Sequence, residues 1–178
     1  MDANYVNRLR ELLSYCPDTG ALTWKVSRGP IKKGSVAGSH NRDGYRKLMI
    51  DRKSQLAHRV AWAIHHGEWP AIDIDHVNGV KDDNRMINLR QCVDWQNRGN
   101  TIRNPGAAGR PGVRIRSRNR FCAEIVFRSN RYKLGTFANA SDAGLAFEIA
   151  SIFLHKEFSP YWPRCSSISA QADQKGGA

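Results

Sequence analysis

Ile74-Asp75-His76-Val77-Asn78-Gly79, followed by Asp82-Asp83-Asn84-Arg85, Asn88-Leu89-Arg90-Gln91-Cys92-Val93 and Gln96-Asn97, decides how this chain is read. Ala71 to Val77 alternates apolar and polar residues, the period of a short strand. Asn78-Gly79 and Asp82 to Arg85 are turn formers, and Asn88 to Val93 supplies a return strand. Asp94 is placed to cap a helix from Trp95 to Ile102, so Asn97 falls in its first turn. The prediction is strand, loop, strand, helix, with polar side chains converging from the first strand and the helix. Neighbouring strand residues point to opposite faces, so Asp75 and His76 cannot share one task. One can face a metal while the other faces a substrate. A carboxylate and an amide oxygen are hard ligands that suit magnesium or manganese with waters retained. A histidine beside such an ion can take the proton from an attacking water. An ion bridging a scissile phosphate would stabilise charge on the phosphoryl and leaving oxygens. The same residue types also build ordinary surface turns, so spacing alone leaves both readings open.

Upstream, Val6, Leu9, Leu12 and Leu13 recur at helical spacing. Pro17-Asp18-Thr19-Gly20 is a turn, with a strand from Leu22 to Val26 after it. Arg28 to Gly38 is a glycine-punctuated loop carrying Lys32 and Lys33. Tyr45–Ile50 and Ser54–Leu56 read as a hairpin, and His58 to His66 as a helix ended by Gly67.

Downstream, Arg114, Arg116, Arg118 and Arg120 stand at alternate positions, so one strand through them would project all four from one face. Phe121 to Phe127 and Tyr132 to Phe137 give two more strands, with Ser129-Asn130 as a turn between them. Ser141 is placed to cap a helix with an apolar stripe of Ala143, Ala146, Phe147 and Ala150. Three strands covered by one helix leave a free sheet face, made cationic by those four arginines with Arg128, Arg131 and Lys133. Arginine can bond a phosphate or a guanine edge in two places. A strand pair can enter a major groove.

The whole chain agrees with a polyanionic partner. Its 178 residues carry 28 basic and 16 acidic side chains, a formal +12 with pI near 10.0. Residues 1–70 hold 12 basic against 6 acidic, 71–111 hold 6 against 5, and 112–162 hold 8 against 4. A nearly neutral middle between basic flanks fits a cation-holding site between parts that grip phosphate. No apolar run of about 18 residues exists, which excludes a membrane span. The first residues lack the apolar stretch of a signal peptide, so a cytoplasmic protein is expected. Cys16, Cys92, Cys122 and Cys165 form no CxxC pair, which argues against a zinc ribbon and for reduced thiols.

The ordered blocks from Ile74 to Asn97 strongly resemble the HNH endonucleases, most of all those of phages and group I introns, some of which are homing enzymes. His58-Arg59-Val60-Ala61-Trp62, Gly67-Glu68-Trp69-Pro70 and Tyr15 to Trp24 resemble the lead-in of that subgroup. The resemblance implies that Asp75 is a metal ligand and His76 the general base. It implies that Asn88 hydrogen-bonds backbone and pins the loop, and that Asn97 is the second metal ligand. Many relatives have histidine at that last position, so this is an H-N-N variant, which favours magnesium or manganese over zinc. Gly112-Val113-Arg114, Phe121 to Ile125, Leu134 to Phe137 and Asp142 to Phe147 resemble the DNA-binding domain of plant ethylene-response factors. Phe121 stands where that family often has tryptophan.

The expected fold is α+β: a small ββα-metal core, a basic β-rich N-terminal region, and a C-terminal three-stranded antiparallel sheet packed on one helix. The expected divisions are 1–70 contacting DNA, 71–104 the nuclease core, 105–111 a linker, 112–162 the sheet domain and 163–178 a disordered tail. The expected activity is site-specific, metal-dependent hydrolysis of duplex DNA to 5′-phosphate and 3′-hydroxyl ends, by a phage or intron-encoded protein in a bacterial host. One site per chain implies nicking by a monomer, and cutting both strands would need a dimer or two sequential nicks. The rival readings are a non-catalytic DNA-bound regulator and an RNA-processing protein, the latter disfavoured because the A-form major groove is closed to a sheet.

Overall fold

A computed structural model describes residues 3–100 and 104–162. The expected tail and the end of the expected 95–102 helix lie outside the described residues. The chain divides into two compact units, Met1–Val93 and Asp94–Ala178. The described residues form a mixed α and β architecture of small sheets and four helices. No helix among them is long and apolar enough to cross a membrane.

The first unit begins with helix α1 (Ala3–Leu12), whose Val6, Leu9 and Leu12 are buried at the predicted spacing. Strands β1 (Leu13–Tyr15) and β2 (Leu22–Trp24) pair antiparallel around the expected 17–20 turn. Next come β3 (Ser39–His40), β4 (Arg46–Ile50) and β5 (Lys53–Leu56), ordered β3-β4-β5 in one antiparallel sheet. The β4–β5 turn uses Asp51 and Arg52 at φ +44° and +65°, the backbone hand that suits a tight hairpin. Helix α2 (Ala57–His66) ends on Gly67 at φ +83°, a left-handed stop. Its Val60, Ala61 and Ala63 share one core with α1, Leu13, Leu22, Trp24, Leu48 and Ile50. Strand β6 (Asp73–His76) pairs antiparallel with β7 (Leu89–Cys92), with Asp75 opposite Arg90 and His76 opposite Leu89. A 3-10 turn over Met86–Asn88 leads into β7. Strands β1 and β3 go beyond the sequence expectation, because runs of two or three residues carry no readable period.

The second unit begins with helix α3 (Asp94–Gly99). Asp94 is its first residue rather than the one before it, and its carboxylate bonds Arg98 one turn on at 3.0–3.1 Å. Strands β8 (Val113–Ser117), β9 (Arg120–Phe127) and β10 (Asn130–Phe137) form an antiparallel sheet in the order β10-β9-β8. Helix α4 (Ala140–His155) packs on it, with Ala143 and Phe147 buried against Val113, Ala123 and Ile125. Its cap is Asn139, whose side chain accepts from Asp142 N at 2.8 Å, rather than the expected Ser141. Asparagine and serine cap about equally well, so the choice falls to where the chain leaves β10.

The predicted single arginine strand does not persist. β8 stops at Ser117, Arg118 and Asn119 make the turn with Asn119 at φ +62°, and Arg120 opens β9. A register shift between Ile115 and Ser117 makes Arg116 the extra residue of a bulge.

Gly112 precedes β8 at φ +70°, and a Cβ there would collide with the edge of the Phe147 ring. Gly112→Ala should therefore lower stability by about 1–3 kcal/mol, from overpacking and a strained backbone. Urea unfolding of the full chain measures it, and an unchanged midpoint would show that Phe147 has room to retreat.

Candidate active site

Strand β6 is covered on both faces: Ile74, Asp75 and His76 are all buried. Alternation sends Asp75 one way and His76 the other. On one side Arg90, the cross-strand neighbour, donates through Nε at 3.0 Å and Nη2 at 2.8 Å, both to Oδ2 of Asp75. Both donors on one oxygen, with Arg90 itself mostly buried, make this a fixed pair rather than a surface contact.

On the other side the His76 ring lies among three side chains. His58 of α2 meets it edge-on, with ring centroids 4.9 Å apart at 82°. Tyr45 lies 6.0 Å away and also touches His58 at 5.4 Å. Asn84 Oδ1 stands 3.3 Å from His76 Nε2. Burial lowers the His76 pKa below its ordinary value, against the pull of the Asn84 bond and of Asp75. The ring is therefore neutral at neutral pH, the state in which a histidine can accept a proton.

The loop between the strands is tied by its own polar residues. Asn88 is buried, accepts from Asn78 N at 2.9 Å through Oδ1 and donates to Asp83 O at 2.8 Å through Nδ2. Its side chain thus joins the two ends of the loop. Asp83 accepts from Arg85 at 2.6 and 2.8 Å and from Asn78 at 2.7 Å, which holds its carboxyl well below the usual range. Asp82 is also held low: burial opposes this, but Arg46 and His40 outweigh it at 2.7–3.2 Å.

Residues 55–98 match the HNH endonuclease family. That span runs from the end of β5 across α2, β6, the tied loop and β7 into α3. The match supports a nuclease, a hydrolase whose domain implies DNA as substrate. No curated protein and no solved structure matches the chain.

Asp75, His76 and Asn88 belong to the first unit, whereas Asn97, half-buried, rides on α3 in the second. Helix α3 is anchored within its own unit, with the Trp95 ring 5.4 Å from Phe127 and 4.7 Å from the Arg128 guanidinium. Among the described residues no group of three His, Cys, Asp or Glu side chains stands together as a metal site. Lys32 and Lys33 are exposed in the loop after β2.

In the second unit Arg114, Arg116 and Arg131 converge on an acid that no sequence pattern singles out. Glu124 at the centre of β9 is 9% exposed, with guanidinium nitrogens of all three at 3.6–3.9 Å. Lys133 is its cross-strand partner. Arg118 lies in the turn, Arg120 starts β9, and Arg128 stacks on rings instead of joining the sheet face. Asn84, read in the sequence as a turn former, meets the His76 ring, and Arg90 pairs with Asp75. Arg90 is the more findable, because pairing the two expected strands sets it across from Asp75.

Burial drives the His58 pKa from its ordinary 6.5 to about 3, with the charges of His76 and Arg59 adding to the effect. Above pH 6.5 both folded and unfolded states hold it neutral. Between 6.5 and 3 only the unfolded chain takes the proton, so stability falls with pH, by up to about 1.4 kcal/mol per unit from this group. His58→Leu should make the loss between pH 6.5 and 4.5 shallower in urea titrations. An equal slope in both proteins would clear His58 of that role.

Proposed function

We propose that this protein is a site-specific, metal-dependent DNA endonuclease that nicks one strand of a duplex. The observation that carries the reading is the buried imidazole of His76, next in sequence to a buried carboxylate within the HNH-matched span. His76 takes a proton from water as the water oxygen attacks phosphorus. The bond to the 3′ oxygen breaks, leaving a 5′-phosphate, and the departing oxygen is protonated by solvent to a 3′-hydroxyl. Asn88 keeps the loop closed under the base. Arg90 orients the Asp75 carboxylate through Oδ2.

The donor chemistry fits a hard divalent ion: a carboxylate oxygen and an amide oxygen suit magnesium or manganese rather than zinc. Asp75, with Asn97 as the second ligand that the family resemblance alone implies, would hold that ion, which when bound would neutralise charge growing on the phosphate and the leaving oxygen.

The second unit is the proposed duplex reader, as the likeness of residues 112–162 to the plant ethylene-response-factor domain suggests. Its support is the sheet face bearing Arg114, Arg116, Arg131 and Lys133 away from the α4 side. Arg118, Arg120 and Arg128 are proposed to touch phosphates around it, and Lys32 and Lys33 of the first unit are proposed to touch phosphate as well. One site per chain makes a nicking monomer the economical reading. The homing reading carries with it a phage or intron-encoded protein at work in the bacterial cytoplasm.

Supercoiled plasmid should be nicked only with magnesium or manganese present. Asp75→Ala and His76→Ala should each lower nicking by at least about 100-fold while duplex binding persists. Nicking that survives both changes would overturn the assignment of the site, and binding without nicking by the unaltered chain would favour the regulator. Ligation and sequencing of the nicked ends check the expected 5′-phosphate.

Arg116→Ala should weaken duplex binding and reduce the slope of log K against log salt by about 0.9, the share of a single neutralised phosphate. Glu124→Gln should raise affinity for random duplex, because a negative charge leaves the face, yet narrow the preference for selected over random sequence. Filter binding across a salt series reads both, and an unchanged slope in Arg116→Ala would remove this face from the DNA-binding surface.

A further inference from the structure

We propose that Asn84 is the positioning residue that locks His76 in the tautomer with hydrogen on Nε2, leaving Nδ1 as the nitrogen with the basic lone pair. The inference rests on the reading of His76 as the general base and names the atom that acts. A neutral imidazole has one donor nitrogen and one acceptor, and which is which depends on the partner it meets.

The partner is fixed by its own bonds. Asn84 is 3% exposed, and its Nδ2 donates to Asp82 O at 3.2 Å. That bond orients the amide with Oδ1 toward the ring, 3.3 Å from Nε2. An amide oxygen only accepts, so Nε2 must donate. The reverse arrangement would turn the amide N–H₂ toward the ring and break the Asp82 bond, leaving a buried polar group unmet.

The backbone under Asn84 is clamped from far off in sequence. Tyr15 Oη donates to Asn84 O at 2.7 Å, and Met86 N donates to Pro17 O at 2.9 Å. Gly20 sits at φ +74° with its missing Cβ only 2.6 Å from Asn84 C and Arg85 N, so the 17–20 turn presses directly on this backbone. The ring has no latitude on its other side either, where His58 meets it edge-on and Tyr45 closes in. The N-terminal segment therefore acts beyond any role in gripping DNA: it holds the residue that sets the base.

The test uses the full-length protein with ¹⁵N-labelled histidine. Two-bond ¹H–¹⁵N spectra report which nitrogen of His76 carries hydrogen, with His76→Gln supplying the assignment. The unaltered protein should show Nε2 protonated and Nδ1 unprotonated. Asn84→Leu should abolish that pattern and lower the nicking kcat by up to about 10⁴-fold, the scale known for a base held in the wrong tautomer, with KM for duplex little changed. Asn84→Asp removes the donor to Asp82 as Leu does but keeps an acceptor facing Nε2. It should restore the tautomer pattern and much of kcat, which a merely structural role would not.

Hydrogen on Nδ1 in the unaltered protein, or the same spectrum in Asn84→Leu, would overturn the inference, even if His76→Ala still abolished nicking. The expected spectra in a protein that nicks nothing would uphold the lock and bring down the endonuclease reading instead. Should Asn84→Leu not fold, the unaltered spectrum and Tyr15→Phe, which loosens the clamp and should blur the tautomer pattern, decide the matter.

Discussion

A neutral imidazole sealed inside a protein needs an acceptor for its single N–H, since an unmet buried donor costs about 1–3 kcal/mol. His76 is 3% exposed, and the first unit is organised around meeting that need. Asn84 Oδ1 stands 3.3 Å from Nε2, because the loop after β6 curls back until residue 84 faces residue 76. A curled loop of polar residues has backbone groups of its own to satisfy, and Asn88, Asn78 and Asp83 bond to one another and to the main chain. Those bonds fix where β7 starts, and so set Arg90 opposite Asp75. The N-terminal turn then lies against the loop at a distance only glycine allows.

The same strand has a second, contrasting demand on its other face. Burying the Asp75 carboxylate beside a guanidinium exchanges hydration for a close pair, and such exchanges seldom stabilise a fold by themselves. A hydrophobic pair at residues 75 and 90 would fold as well. What the ion pair adds is orientation, since both Arg90 donors hold Oδ2 and define the plane of the carboxylate. Charge retained at a cost in desolvation is what a site needs and a core does not.

The strands and helices with a clear period were legible in the sequence. Alternation from Ala71 to Val77, the apolar stripes of α1 and α4, and the Gly67 stop all have their counterparts in the structure. Within the site, the residues in the loop and hairpin could be located but their partners could not. Asn84 lies in a run of turn formers, where an amide is ordinarily loop chemistry, and only the fold reveals that its oxygen faces a ring eight residues away. Likewise Tyr15 and Gly20 read as parts of a local turn, because contacts across more than sixty residues leave no trace in local spacing. The finer placement of Asn97 has its own limit: α3 is anchored by Trp95 to Phe127 and Arg128, residues beyond any window of the helix.

The arginine run shows where alternation fails as a guide. Alternate residues share a face only while one strand continues, and a turn at Arg118-Asn119 divides the run between two strands. What gathers Arg114, Arg116 and Arg131 is cross-strand register and a bulge, with Glu124 at the focus. In the sequence Glu124 is one of four acids among eight bases in residues 112–162, easily taken for a charge that merely dilutes the patch. Placed beneath three guanidiniums it has the opposite effect. Without it their mutual repulsion would spread them into solvent, each losing rotamer freedom afresh on meeting an anion. With it they remain grouped, one negative charge against three positive, so the face keeps a net positive charge while its donors are already arranged.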